Sequence, residues 1–352
     1  MDVLMFLKEL CAIPGVSGHE RQVRDRIRSA WEPLTTEIQE SRLGSLQALK
    51  TGAGPRGRPL VMLAAHMDVI GMMVTRLEGE FLRVTEIGGI DVRVMPGQAV
   101  TVHGRQDLPG IVAHPPAFLL AKNHRNGMAP LEEMVVDVGL PAEEMAKLVG
   151  VGDVISFAVS PADLSNGMLV SPYLDNRAAV AAITLCLEEL QSRRHVWDVA
   201  AVATVQEEWS LGGARTSAYA LRPAVAVAVD VTHGASAAAK EYSHRSFNVG
   251  GGPVLGLGPN IHPGLHAAFK AAAEKLEMAC GTEAMAGFSG TDAHAMQVVR
   301  AGIPTMVLSI PLRHMHTPVE LLSIKDVTRA GRLLAEFVAS LGMDFIDKLK
   351  LD

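Results

Sequence analysis

Leu60-Val61-Met62-Leu63-Ala64-Ala65-His66-Met67-Asp68 is the stretch whose reading decides the fold. An apolar run from Leu60 to Ala65, bounded by Pro59, has no polar break. A strand with one wet face would alternate. An unbroken run suits a strand covered on both faces, as in a parallel sheet between helices. The run ends on polar residues, and α/β enzymes place chemistry beyond the ends of such strands. Residues two apart on a strand share a face, so His66 and Asp68 are expected to point the same way. A histidine ligand commonly has its second nitrogen held by a carboxylate, and this pair can supply both parts. A plain strand-end turn reads equally well from these residues alone.

Similar runs recur along the chain. Val199 to Val205 leads into Gln206-Glu207-Glu208, Ala224 to Val229 into Asp230, and Thr305 to Ile310 into a loop holding His314 and His316. If the Glu pair ends a strand, its side chains point to opposite faces. One can then grip a metal while the other stands free as a base. An ordinary solvated turn explains any one of these acids.

Helical spacing fills the intervals. Leu4, Leu7 and Leu10 predict a first helix, stopped by Pro14-Gly15. Ser17-Gly18-His19-Glu20 has the form of a capping box, and Val23, Ile27 and Trp31 carry that helix to about Pro33. Thr36 to Lys50 reads as a hairpin. Leu174-Asp175-Asn176-Arg177 precedes a helix over Ala178 to Leu190, with Asp175 and Asn176 where an N-cap belongs. Pro263 to Leu276 and Ala293 to Arg300 are helical, and Ser323 with Asp326 is expected to cap the last helix. Between residues 73 and 157 the texture changes to short β-type runs separated by Gly and Pro turns, with one helix from Ala142 to Val149. The expected fold is α/β: a mixed, largely parallel sheet sandwiched by helices, built from 1–72 and 158–352, with a small β-rich domain inserted at 73–157.

Composition narrows the function classes. The chain has 352 residues, 48% hydrophobic and 20% charged, which suits a sizeable core. A net charge of −6 with no dense basic run argues against nucleic acid as a partner. No apolar run reaches membrane-spanning length. The N-terminus lacks a basic start and cleavage site, so the cytoplasm is the expected location. Cys11, Cys186 and Cys280 are far apart and odd in number, which indicates neither a disulfide framework nor a thiolate zinc site.

His66, Asp175, Glu207, Glu208, Asp230 and His316 therefore sit at strand ends or the loops near them. Jointly they form a His/carboxylate set with no thiolate, suited to Zn²⁺, Co²⁺ or Mn²⁺. Five ligands plus one free carboxylate is what a two-metal hydrolytic site needs. With Pro14-Gly15-Val16-Ser17-Gly18, Ala65-His66-Met67-Asp68, Gly88-Gly89-Ile90-Asp91, Leu174-Asp175-Asn176-Arg177, Val205-Gln206-Glu207-Glu208, Gly290-Thr291-Asp292-Ala293 and Met315-His316-Thr317-Pro318-Val319-Glu320 in this order, the chain resembles the tetrahedral-aminopeptidase family over nearly its whole length. That family includes glutamyl and deblocking aminopeptidases and belongs among the co-catalytic zinc exopeptidases.

The resemblance implies an aminopeptidase acting on peptides with two divalent metal ions per subunit. Asp175 would bridge them, His66 and Asp230 would complete one, and Glu208 and His316 the other. Glu207 would be the general base and Asp68 the orienter of His66. The family pattern selects His316 over His314. It also implies that the inserted domain is a dimerisation domain and that dimers assemble into a hollow dodecamer. Two departures stand beside the expected site: Val69 where the family usually has Glu, and Trp209-Ser210-Leu211-Gly212 for the usual Val-Gly-Leu-Arg. The rivals are a two-metal deacylase or carboxypeptidase, and a catalytically silent assembly scaffold.

Overall fold

The computed structural model describes residues 1–116, 118, 130–236 and 246–349. Within them the chain builds two hydrophobic cores, one against a large sheet and one inside a small barrel.

The Leu60 run becomes β3 (Leu60–His66), buried from Val61 onward. It lies inside a sheet that, among the described residues, has 11 strands. The order is β1 (Glu37–Glu40), β2 (Leu46–Lys50), β12 (Asp198–Thr204), β3, β13 (Val225–His233), β16 (Thr305–Arg313), β17 (Glu320–Ser323), β11 (Met168–Ser171) and β10 (Ala162–Leu164). β14 (Val254–Leu257) joins β16 and carries β15 (Gly281–Ala284). The apolar runs of the sequence are the parallel neighbours β12, β3, β13 and β16. Burial on both faces explains their lack of alternation.

Outward from that centre the pairing turns antiparallel, through β2 on one side and β17 on the other. The sheet is mixed, but "largely parallel" holds only for its centre and the β14–β15 pair. β10, β11, β14, β15 and β17 have three or four residues each, too short to declare themselves by pattern.

Helices form two groups. α4 (Leu174–Ser192) packs on β3, β13, α1 (Val3–Cys11) and α9 (Ile324–Ser340), with α7 (Pro263–Lys275) against α9. α6 (Gly212–Leu221) packs on β12 and on α8 (Asp292–Gln297), which lies over β13 and β16. Gly331 sets the α4–α9 approach. A Cβ there would stand 2.7 Å from the Ala182 carbonyl oxygen and 2.9 Å from Leu185 Cβ.

Six strands close the barrel in the order β4 (Gly71–Glu78), β5 (Phe81–Ile87), β8 (Val135–Asp137), β7 (Asp107–Ala113), β6 (Ala99–His103) and β9 (Val154–Phe157). Met72, Val74, Val100, Val102, Val136 and Ile155 fill it, with α3 (Ala142–Leu148) adding Met145. The barrel strands run from Gly71 to Phe157, so the first begins two residues before the β-rich segment read from 73 to 157. Residues 117 and 119–129 of that segment lie outside the described residues.

Three expected caps are not formed, and in each a side chain read as part of the cap has a partner elsewhere in the chain. α2 (Arg21–Trp31) begins after His19 and Glu20. The Ser17 hydroxyl donates to the Asp68 carboxylate, and Glu20 accepts from the Gly18 N–H instead. Asp175 and Asn176 do not cap α4: they are non-helical, and Asn176 Nδ2 donates to the Val229 carbonyl at 2.9 Å. Ser323 makes no cap bond, while Asp326 accepts from the Gly250 and Gly252 N–H groups.

Candidate metal centre

Strand register brings the first two site residues together. Ala64 of β3 stands opposite Ala228 of β13. Two residues further along each strand, His66 and Asp230 project from the same face. Asp230 lies inside β13 rather than at its end. On the other side of β3, Thr204 of β12 stands opposite His66.

Beyond Thr204 the chain leaves the sheet. Gln206 takes a left-handed conformation (φ 57°), and the one-turn helix α5 (Glu207–Ser210) follows. Glu207 and Glu208 are therefore not on a strand, and the alternate-face argument does not apply to them. The turn separates them all the same. Glu207 Oε2 lies 3.9 Å from His66 Nε2, whereas Glu208 Oε2 lies 3.5 Å from His316 Nε2. His316, in the loop between β16 and β17, is also left-handed (φ 61°).

Both imidazoles are held alike. His66 Nδ1 donates to the main-chain oxygen of Asp68 at 3.0 Å, and His316 Nδ1 donates to that of Gly89 at 2.6 Å. Each Nε2 is thereby turned toward carboxylates. Asp175 stands between them, with Oδ1 3.2 Å from His66 Nε2 and Oδ2 3.6 Å from His316 Nε2. Asp230 Oδ1 is 3.8 Å from His66 Nε2. Ligand atoms of His66, Asp175 and Glu208 all lie within 4.8 Å of one another, as do those of His66, Glu207 and Asp230. All six residues open on a cleft of about 610 Å³.

Two acids outside this set hold its backbone. The Asp68 carboxylate, 3.8 Å from His66 Nδ1, does not hydrogen-bond the imidazole as expected. It accepts from the Glu207 N–H at 3.0 Å, the Glu208 N–H at 3.2 Å and the Ser17 hydroxyl. β3 ends at His66, so Asp68 is off the strand, and its main chain rather than its side chain faces the ring. Glu320 does the same opposite, accepting from the Asp175 N–H at 3.0 Å and the His316 N–H at 3.1 Å. No local pattern marks Glu320 as a clamp, because its partners Asp175 and His316 come from separate elements. Asp292 is buried below the site and accepts from the Thr204 hydroxyl at 2.6 Å.

The M42 glutamyl aminopeptidase family model matches residues 44–333. The chain belongs to the M42 glutamyl aminopeptidase family. It is a peptide hydrolase, and its fold is that of the TET aminopeptidases. The lysyl aminopeptidase of Pyrococcus furiosus is 35% identical over 351 residues, covering 96% of this chain and 98% of that protein. The solved TET aminopeptidase of a marine sediment Thaumarchaeota archaeon has a TM-score of 0.93 at 28% identity, covering 99% of each chain. The TET1 peptidase of Pyrococcus horikoshii, described as able to assemble into a tetrahedron or a large octahedral shell, has a TM-score of 0.84 at 26% identity, covering 97% of this chain and 100% of that one.

In this M42 chain the charges of the cleft do not balance by themselves. Four carboxylates and three imidazoles (His66, His316 and, beside Phe288, His294) line it, with no lysine or arginine among the described lining residues. Burial pushes the carboxyls up: Glu208 to about 7, and Glu207 and Asp230 well above the usual range. Burial likewise pushes Asp292 up to about 6. Burial opposes charge on the histidines, but facing acids outweigh it. His316 is raised to about 9, chiefly by its bond to Asp175, and His66 is raised well above its ordinary value by Glu207, Asp175 and Asp230. Asp175 goes the other way: burial raises it, but bonds to His316 and His66 hold it below the usual carboxylate range. A buried surplus of carboxylates beside two forward-facing Nε2 atoms fits divalent cations. Of the two departures, only one touches the cleft. Val69 is fully buried in the barrel core, whereas Trp209 lines the cleft wall.

Proposed function

We propose that the chain is a two-metal aminopeptidase that removes the first residue of peptides, with Glu207 moving the proton. The observation that carries this is the split carboxylate of Asp175, one oxygen toward His66 and the other toward His316. That is the arrangement a bridging ligand needs. His66 and Asp230 would hold one ion, Glu208 and His316 the other, as Zn²⁺, Co²⁺ or Mn²⁺. Ions held there supply the charge that lowers the pKa of a water and polarises the scissile carbonyl.

Glu207 accepts a proton from the attacking water and delivers it to the leaving amine. Its burial suits the task, since a carboxyl raised from its usual value is a stronger base, and neighbouring cations would return it toward neutrality. Asp68 fixes the turn that carries Glu207, so the base is aimed by a buried carboxylate. The surplus of acids offers a partner to the substrate's cationic α-amino group, which restricts cleavage to the first residue. A carboxypeptidase would instead want a lysine or arginine for the substrate's terminal carboxylate, and none stands among the described lining residues.

We further propose that the barrel is the dimerisation domain and that dimers build a dodecamer, on the likeness to the assembling TET1 peptidase. The cytoplasm is the proposed location. All three cysteines are free, and among the described residues no helix is long and apolar enough to cross a membrane.

The test is Glu207→Gln in the metal-reconstituted protein. Metal content should match wild type while turnover of aminoacyl anilides falls by about 10²–10⁴-fold. Turnover near wild type would remove Glu207 as the base. Chelation should abolish activity, and added Co²⁺ or Zn²⁺ should restore it.

A further inference from the structure

The proposed reaction uses only polar side chains of the cleft. Trp209, Leu211, Val231, Phe288 and Met315 line it as well. Trp209 is 77% exposed and Phe288 65%. Clustered apolar side chains left open to water mark a binding surface. The wall is tied to the chemistry by the chain itself: Trp209 follows Glu208, Val231 follows Asp230, and Met315 precedes His316. It therefore begins one residue from the groups proposed to hold the scissile carbonyl. Phe288 is seated rather than loose, its ring packed on the His294 imidazole with centroids 4.2 Å apart.

We propose, on the aminopeptidase reading, that Trp209, Phe288 and Met315 form the subsite for the first residue's side chain, and that it selects large apolar residues (leucine, methionine, phenylalanine) over lysine or glutamate. Every acid lining the cleft belongs to the metal set, and what that set leaves over is taken by the substrate's α-amino group, so a lysine ammonium finds no further carboxylate among the described lining residues. A glutamate side chain finds no lysine or arginine among the described lining residues, and the one imidazole outside the metal set, His294, is packed against the Phe288 ring. Either charged group would lose water without a partner, which is the costly case. An apolar side chain instead covers the two open rings.

The experiment compares kcat/KM on the metal-reconstituted full chain for leucyl, methionyl, phenylalanyl, alanyl, lysyl and glutamyl anilides. Leucyl should exceed lysyl and glutamyl by at least about tenfold, the scale on which apolar pockets discriminate. Trp209→Ala and Phe288→Ala should each narrow the leucyl-over-alanyl ratio, through KM more than kcat. Binding can be followed without turnover in the Glu207→Gln protein, which leaves the amide bond of an aminoacyl amide uncut. Trp31 and Trp197 are fully buried, their indole N–H groups bonded to the Thr184 hydroxyl and the Gly342 carbonyl. A fluorescence change on adding L-leucinamide therefore reports Trp209. L-lysinamide should give little change, and Trp209→Ala should abolish the signal. A lysyl or glutamyl preference, or equal rates across the anilides, would overturn the subsite and leave the aminopeptidase reading standing. Failure to cleave any anilide with metals bound would refute the aminopeptidase reading itself, while the fluorescence titration still decides whether the wall binds apolar side chains.

Discussion

Asp68→Asn tests whether the turn carrying Glu207 and Glu208 is held by a buried carboxylate. Three donors converge on its two oxygens: the Glu207 N–H on Oδ1, and the Glu208 N–H with the Ser17 hydroxyl on Oδ2. Asparagine keeps the shape but replaces one oxygen with an NH₂ group. The Ser17 hydroxyl can rotate and accept from that group; a main-chain N–H cannot. One amide is then left without an acceptor beside a fully buried side chain, at about 1–3 kcal/mol. The surviving bond loses its charge, about 1 kcal/mol more. The variant should be destabilised by about 2–4 kcal/mol in urea unfolding, and kcat should fall at least about tenfold, since a loosened α5 carries the base. Ser17→Ala is the control. It removes one bond and leaves both amides accepted, so it should cost only about 1 kcal/mol. Asp68→Asn unfolding within about 0.5 kcal/mol of wild type would refute the clamp, as would equal losses in the two variants.

Glu320→Gln repeats the logic opposite, leaving the Asp175 or His316 amide without an acceptor. Metal affinity measured by calorimetry should fall at least about tenfold, by analogy with residues that orient ligands, and an unchanged affinity would remove Glu320 from the site. The metal-free protein should lose stability as pH rises. Glu208 is raised from 4.5 to about 7 and Asp292 from 3.8 to about 6, so protonated carboxyls favour the folded state below their ordinary values, and that contribution is gone once pH passes the raised ones. Melting temperature in chelator should therefore drop between pH 4.5 and 7, divalent metal should reverse the drop, and a steady rise across that window would contradict the charge surplus. Gly331→Val should destabilise by about 1–3 kcal/mol through overpacking of α9 on α4, with kcat unchanged in a standard anilide assay.

The apolar runs were legible because burial on both faces leaves a one-dimensional trace: no alternation from Val61 to Ala65, from Val199 to Ala203 or from Val225 to Val229. The inserted barrel was legible by its change of texture. The short strands beside β16 were not, since four residues carry too little pattern. Local rules failed where a distant group competed. Ser17, Asp175 and Asp326 look like caps in a linear reading, yet each has partners far away in the chain.

His66, Asp175, Glu207, Glu208, Asp230 and His316 could be listed as candidates from residue type and nearness to the apolar runs, with His316 chosen over His314 by the family resemblance. The linear chain could not say how their atoms face. The direction of each Nε2 depends on a main-chain oxygen from another segment, and the separation of the Glu pair depends on a left-handed Gln206 instead of strand alternation. The clamps of Asp68 and Glu320 exist only once separate segments meet. Residue chemistry is local and survives in the sequence; the angle and distance between groups are properties of packing, and packing is decided by the whole chain at once.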